Sequence, residues 1–278
     1  MLGAVIGDVI GSSYEGFPVK DKNFTLYTET ARVTDDSVLT AAVAEAVLLS
    51  ETEPDKENYS ASLRRWANRY PDAGFGGSFY KWFNTPGMGA YNSWGNGSAM
   101  RVSPVGWAFD GKDAVFRQAE LSALPTHNHP EGIKGAQATA YAVYLARTGA
   151  DKNEIREKIS SDFDYNLYRS WKDIQPDYGF EISCQKSVPE ALISFLDSDD
   201  FEDAIRNAIA LGGDADTQAA IAGAVAEAYY REIPNDIMAF VTVRFPDDLL
   251  DTAIAFSEKY LSDKTADALK REKESRTK

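Results

Sequence analysis

Small apolar residues recur at helical spacing through most of this chain, and alternation with a period of two is scarce. The pattern predicts helices near 35–50, 56–70, 112–123, 131–148, 151–160, 188–196, 200–210, 215–230, 247–261 and 263–275. Two stretches break it. Between 71 and 107 the chain is rich in Gly, Asn, Ser and aromatics, too irregular for one helix and long enough to be a functional loop. A second such stretch runs from Asp162 to Ser187. No internal repeat or low-complexity segment is evident, and the charged segment after Lys264 reads as a solvated helix that frays at its end. The expectation is a compact all-α protein of one domain, 1–278, in which loops and helix N-termini from distant parts of the chain meet at a central cleft.

Composition narrows the class. A chain of 278 residues with 44% hydrophobic content can bury a large core. The apolar stretch from Leu2 to Ile10 is interrupted by Gly7 and Asp8 and lacks a basic leader, so it does not read as a signal peptide. No run approaches the ~20 apolar residues of a membrane span, and a cytoplasmic protein is expected. The net charge of −14 and pI near 4.6 disfavour nucleic acid and anionic membranes as partners, while small anionic ligands stay compatible. The single cysteine, Cys184, excludes an intrachain disulfide and reads as a small buried side chain.

The strongest chemical signal is a pair of short acidic clusters. Thr34-Asp35-Asp36 precedes the alanine-rich run from Val38 to Leu49, and Asp214-Ala215-Asp216-Thr217 precedes a similar run from Ala219 to Tyr230, with Gly212 and Gly213 permitting a tight entry. One reading makes Thr34 and Asp214 helix caps, with the other aspartates complementing the macrodipole. The other makes them two halves of one metal site, because both clusters hold a hydroxyl beside two carboxylates, more acid than capping needs. Four carboxylates brought within a few ångströms would take up protons unless cations neutralised them. The donors are hard oxygens, which suits Mg²⁺ or Mn²⁺; His127, His129 and Cys184 are too few for a structural zinc site.

These clusters, with four further segments in the same order, resemble the ADP-ribosylglycohydrolase family over nearly the whole chain. The resemblance is carried by Gly3 to Gly16, Val33 to Ser37, Trp94-Gly95-Asn96-Gly97-Ser98-Ala99-Met100-Arg101, Thr126-His127-Asn128-His129-Pro130, Ser183 to Glu190, and Gly212 to Thr217. It implies an all-helical fold and a metal-dependent hydrolase that removes ADP-ribose from modified proteins, the modified protein being its partner. It implies two divalent cations, Mg²⁺ or Mn²⁺, held by Thr34, Asp35, Asp36, Asp214, Asp216 and Thr217. Glu15, where the family places a glutamate near the metals and the scissile ribose, becomes the expected general acid or base, with Asp35 and Asp36 beside it. One departure is Lys186, where bacterial relatives often carry glycine.

ADP-ribose needs backbone donors, polar groups for its hydroxyls and an apolar or aromatic face. Trp94, Gly95, Asn96, Gly97, Ser98 and Met100 supply these types, with Gly95 and Gly97 letting backbone N–H groups approach the pyrophosphate; a plain Gly-Asn-Gly turn entering a helix is the alternative. His127 is an expected substrate contact, whereas His129, before Pro130, equally suits the start of the next helix. Tyr178 is a candidate stacking surface for adenine or ribose, or a core residue. Asp8, between Gly7 and Val9, reads as a carboxylate that satisfies backbone donors. A non-catalytic ADP-ribose-binding protein and a two-metal nucleotide phosphoesterase are the competing functions.

Overall fold

In the computed structural model, which describes residues 1–276, every regular element among the described residues is a helix. The order is α1 (Leu2–Gly11), α2 (Asp35–Leu49), α3 (Lys56–Arg69), α4 (Gly77–Asn84), α5 (Gly97–Met100), α6 (Ser103–Ala108), α7 (Lys112–Ala123) and α8 (Pro130–Arg147). It continues with α9 (Lys152–Phe163), α10 (Trp171–Ile174), α11 (Cys184–Leu196), α12 (Phe201–Ala210), α13 (Ala215–Tyr230), α14 (Asn235–Thr242), α15 (Asp247–Tyr260) and α16 (Asp263–Arg276). The expected fraying at the end of α16 concerns residues 277–278, which lie outside the described residues.

The axis of the fold is the pair α1 and α13. All ten residues of α1 are buried, as is α13 from Ala215 to Ala228. Helices surrounded on every side need small residues where backbones touch, and this pair has them. A Cβ added at Gly7 would lie 2.0 Å from the Ala219 carbonyl oxygen, and one at Gly11 would lie 2.6 Å from the Ala215 oxygen. The contacts run in opposite chain directions, so the helices are antiparallel and the C-terminal turn of α1 meets the N-terminal turn of α13. The N-terminus of α2 arrives at the same end: the Thr34 and Ser37 backbone N–H groups both donate to Asp8 of α1, each at 3.0 Å. Two helix N-termini distant in sequence are thereby brought together.

Helices were not expected at α1, at α10, at α14 or within 71–107, and the reasons are physical. Segment 2–11 carries three glycines and is buried all round, so it shows neither high propensity nor an apolar stripe. The 71–107 stretch folds as three short helices, α4 to α6, too brief for periodicity to register. α11 starts at Cys184 rather than 188, which leaves Pro189 inside the helix. No helix among the described residues is long and apolar enough to cross a membrane.

Candidate functional site: an acidic cleft between two helix N-termini

The cleft has a cavity volume of about 350 Å³ and two contrasting walls. The first is acidic. Asp8, on the last turns of α1, is fully buried and accepts hydrogen bonds from the Thr34 and Ser37 hydroxyls as well as from their N–H groups. Thr34 and Asp214 both sit at N-cap positions, yet neither side chain caps its own helix. The Thr34 hydroxyl goes to Asp8, and Asp214 accepts from the Asn96 amide at 2.7 Å. A capping role therefore does not account for these residues.

The remaining acids close on one another. Asp8, Asp36 and Asp216 each present an oxygen within 4.8 Å of the others, and so do Glu15, Asp214 and Asp216. Asp216 belongs to both groups. The Thr217 hydroxyl donates to Asp36 Oδ2 at 3.4 Å and so joins the first turns of α13 and α2. The other Asp36 oxygen, Oδ1, is buried with no partner. Asp35 lines the cleft beside them, and Glu15 stands exposed at the rim.

Crowding of this kind raises pKa values. Burial, followed by the neighbouring charges of Asp8 and Asp214, pushes Asp35 up to about 8. Burial and then Asp216 hold Asp36 well above the usual carboxylate range, and burial and then Asp214 do the same to Asp216. Burial also raises Asp8 and Asp214, partly offset by their hydrogen bonds. Glu15, although exposed as a residue, has its carboxyl raised by lost solvent and then by Asp214. Two groups of three carboxyls, each within 4.8 Å, all oxygen donors, one with an orphaned buried oxygen, are a set that fits a hard divalent cation such as Mg²⁺ or Mn²⁺ and offers a soft metal no ligand.

The second wall is made of loops held by backbone and neutral side chains. An isolated antiparallel bridge joins Gly95 to Ser183, with Asn96 N–H donating to the Ile182 carbonyl at 2.8 Å and Cys184 N–H to the Trp94 carbonyl at 2.9 Å. Gly95, Asn96, Gly97, Met100 and His127 line the cleft, as expected. A Cβ at Gly97 would sit 3.1 Å from His127 Nε2, so the imidazole edge lies directly against this turn. Ser98 instead faces inward and donates to the Gly132 carbonyl at 2.7 Å. Trp94 is outside the cleft lining: its ring is 53% exposed and meets His129 edge-on, while only its carbonyl joins the bridge. Tyr178 also lies outside the lining; it packs behind the acidic turn, where a Cβ on Gly213 would come within 2.6 Å of its ring. His129 caps α8, accepting from the Glu131 N–H at 3.1 Å. Cys184 is buried, and Lys186 extends outward to Glu181 at 3.6 Å.

Residues not singled out from the sequence also line the cleft, among them Tyr91, Arg101, the start of α4 at Gly77 to Phe79, and the exposed apolar pair Phe180 and Ile182 at the rim. Phe180 and Ile182 carry no motif, and only their place beside the bridge reveals them. Asp8 does satisfy backbone donors, and it also lies within the acid cluster.

Comparison with known proteins gives the family and the fold. The chain is 28% identical over 308 residues to the human ADP-ribosylhydrolase ARH3, covering 83% of this chain and 84% of that one. It is 30% identical to an uncharacterized protein of Archaeoglobus fulgidus, covering 84% and 88% respectively. It is 27% identical to the ADP-ribosylarginine hydrolase Tri1 of Pseudomonas putida, covering 83% and 69%. A solved ADP-ribosylglycohydrolase-related protein complex has the same fold, with a TM-score of 0.67 at 23% identity over 97% of this chain and 95% of the other. The ADP-ribosylglycohydrolase profile matches residues 1–269. With its acids assembled where two helix N-termini meet, this all-helical chain belongs to the ADP-ribosylglycohydrolase family and is a glycosidic-bond hydrolase.

Proposed function

We propose that the chain, working as one domain over 1–278 in the cytoplasm, removes single ADP-ribosyl groups from modified protein side chains by hydrolysing the bond at ribose C1″. Two Mg²⁺ or Mn²⁺ ions are its cofactors, with Thr34, Asp35, Asp36, Asp214, Asp216 and Thr217 as the holding set and Asp8 bracing Thr34 from behind. Bound there, such ions supply positive charge and orient ribose hydroxyls and water. The observation that carries the reading is the convergence of Asp36, Asp214, Asp216 and Glu15 on one cleft walled by the Gly95–Gly97 turn.

Glu15 stands where a proton must move. Its carboxyl is close to Asp214 and Asp216, its pKa is raised, and its rim position gives it access to both leaving group and water. It therefore serves as general acid or base, with Asp35 and Asp36 stabilising oxocarbenium charge. The Gly95–Gly97 backbone and His127 receive the pyrophosphate, and Asn96 keeps Asp214 turned toward the cleft. Met100, Phe180 and Ile182 provide apolar faces for ribose and base, Tyr178 supports the acidic turn, Ser98 anchors the turn to α8, and Trp94 contributes mainly through its carbonyl. Replacing Glu15 by Gln is expected to reduce turnover by about 10²–10⁴-fold while cation binding persists. Full turnover by that variant would remove Glu15 from the role.

A further inference from the structure

Arg101 ends the turn that forms the second wall, and it is unusual in being a fully buried cation with no carboxylate partner. Its Nη2 donates to the Ser122 carbonyl at 3.0 Å and to Thr126 Oγ1 at 2.9 Å, while Nε and Nη1 have no partner. Burying a charge on such terms is costly unless the charge does something. The next link shows what. Thr126 Oγ1 lies 2.7 Å from His127 Nδ1, and the other ring nitrogen, Nε2, faces the Gly95–Gly97 turn of the cleft.

A guanidinium can only donate, so Thr126 Oγ1 accepts from Arg101 and retains one hydrogen to place. If that hydrogen points to His127 Nδ1, the chain Arg101 to Thr126 to His127 runs head to tail, and each bond polarises the next. If instead Nδ1 carries the proton, two donors converge on one oxygen, and the hydroxyl hydrogen must turn to the Tyr91 hydroxyl, the neutral neighbour on that side. Charge and dipole decide between them. With Nδ1 bare, the negative end of the imidazole faces the buried guanidinium; with Nδ1 protonated, the positive end does. In a site of low dielectric the first arrangement is favoured.

We propose that Arg101 is a positioning residue which, through Thr126, fixes His127 in the tautomer whose Nε2–H points into the cleft, making it a permanent donor for an acceptor oxygen of the ligand. Burial and then the Arg101 charge hold the His127 pKa well below its ordinary value, so the ring stays neutral as the arrangement requires. The ligand half of this statement rests on the glycohydrolase reading; the tautomer half does not.

The test is an imidazole ¹⁵N spectrum of the ligand-free, full-length protein at neutral pH. The chain has only two histidines, so a His129→Gln variant assigns both. The expected result is a bare Nδ1 and a protonated Nε2 on His127. A protonated Nδ1 with a bare Nε2 would overturn the proposal whatever the enzyme hydrolyses. Thr126→Val keeps the side-chain shape and removes the relay; it should shift His127 to a mixture of tautomers and weaken ADP-ribose binding about tenfold, the scale of one hydrogen bond to a charged group. Arg101→Lys, which retains the charge, should keep the wild-type spectrum in a folded protein. An unchanged tautomer in folded Thr126→Val would also refute the relay. A correct tautomer without ADP-ribose binding would refute the function reading and leave the relay standing.

Discussion

The two walls of the cleft are built on opposite principles. On the acidic wall, Asp36 and Asp216 are buried close together with few donors between them, and Asp36 Oδ1 has none. On the loop wall, Asn96, Cys184 and His127 sit in backbone and side-chain hydrogen bonds, and the charge of Arg101 is spent on a relay. One wall is left electrostatically incomplete so that cations can complete it. The other, apart from Nε and Nη1 of Arg101, is already hydrogen-bonded, so that it meets a ligand without rearranging. The contrast explains why neighbouring residues of one site should respond differently to substitution.

The largest effect is expected at Asp216, which belongs to both carboxylate groups. Asp216→Asn should lower activity on the order of 10²–10³-fold or more. The same change relieves repulsion, so the cation-free protein should gain about 0.5–2 kcal/mol of stability by denaturant unfolding. A loss of stability without cations would place Asp216 with the completed wall instead.

Proton and cation should compete for the acidic wall. The folded pKa of Asp35, about 8, is raised above the ordinary aspartate value of about 3.9. Its contribution to stability is therefore fully present below pH ~4 and is lost as pH rises toward 8. Without cations, the thermal midpoint should fall across that window. Divalent ions at about one hundred times their Kd should restore about 2.7 kcal/mol, with a larger gain at high pH where fewer protons must be displaced. Calorimetric scans with Mg²⁺, Mn²⁺ and EDTA check both signs.

Arg101→Met should show the reverse pattern. Removing the guanidinium leaves the Ser122 carbonyl and Thr126 hydroxyl short of a buried donor, at a cost of about 1–3 kcal/mol. Cation affinity, read by titration calorimetry, should not fall, because the charge removed near Asp35 is a positive one. The smallest effect is expected for Trp94→Ala, because the ring is exposed and only the backbone carbonyl is engaged; stability should move by less than about 0.5 kcal/mol. A large rise in KM would instead show that the indole swings over the bound ligand.

Much of this organisation was legible in the chain, for identifiable reasons. Acid clusters ahead of alanine-rich helices stand out because capping needs one acceptor, and each cluster supplies three. Long amphipathic or alanine-rich helices such as α2 and α8 declare themselves by period. α1 does not, since a helix buried on every face has no polar side to contrast with. The participation of Asp8 in the acid cluster was hidden for the same reason: only the close approach at Gly7 and Gly11 shows that α1 delivers it beside Asp36 and Asp216. Arg101 was hidden because its meaning depends on Thr126, which lies in the segment between α7 and α8 and meets it only in the fold. Trp94 and Tyr178 illustrate the converse, since aromatic type alone does not say which way a ring faces.

The central claim is that the acidic wall works with cations to cleave a glycosidic bond. It is tested most directly by incubating the protein with arginine-linked and serine-linked ADP-ribosylated proteins in Mg²⁺, Mn²⁺ or EDTA and identifying the released nucleotide by mass spectrometry. Intact ADP-ribose, released with divalent cations and not with EDTA, is the predicted result. Release of AMP, or cleavage that persists undiminished in EDTA, would contradict it.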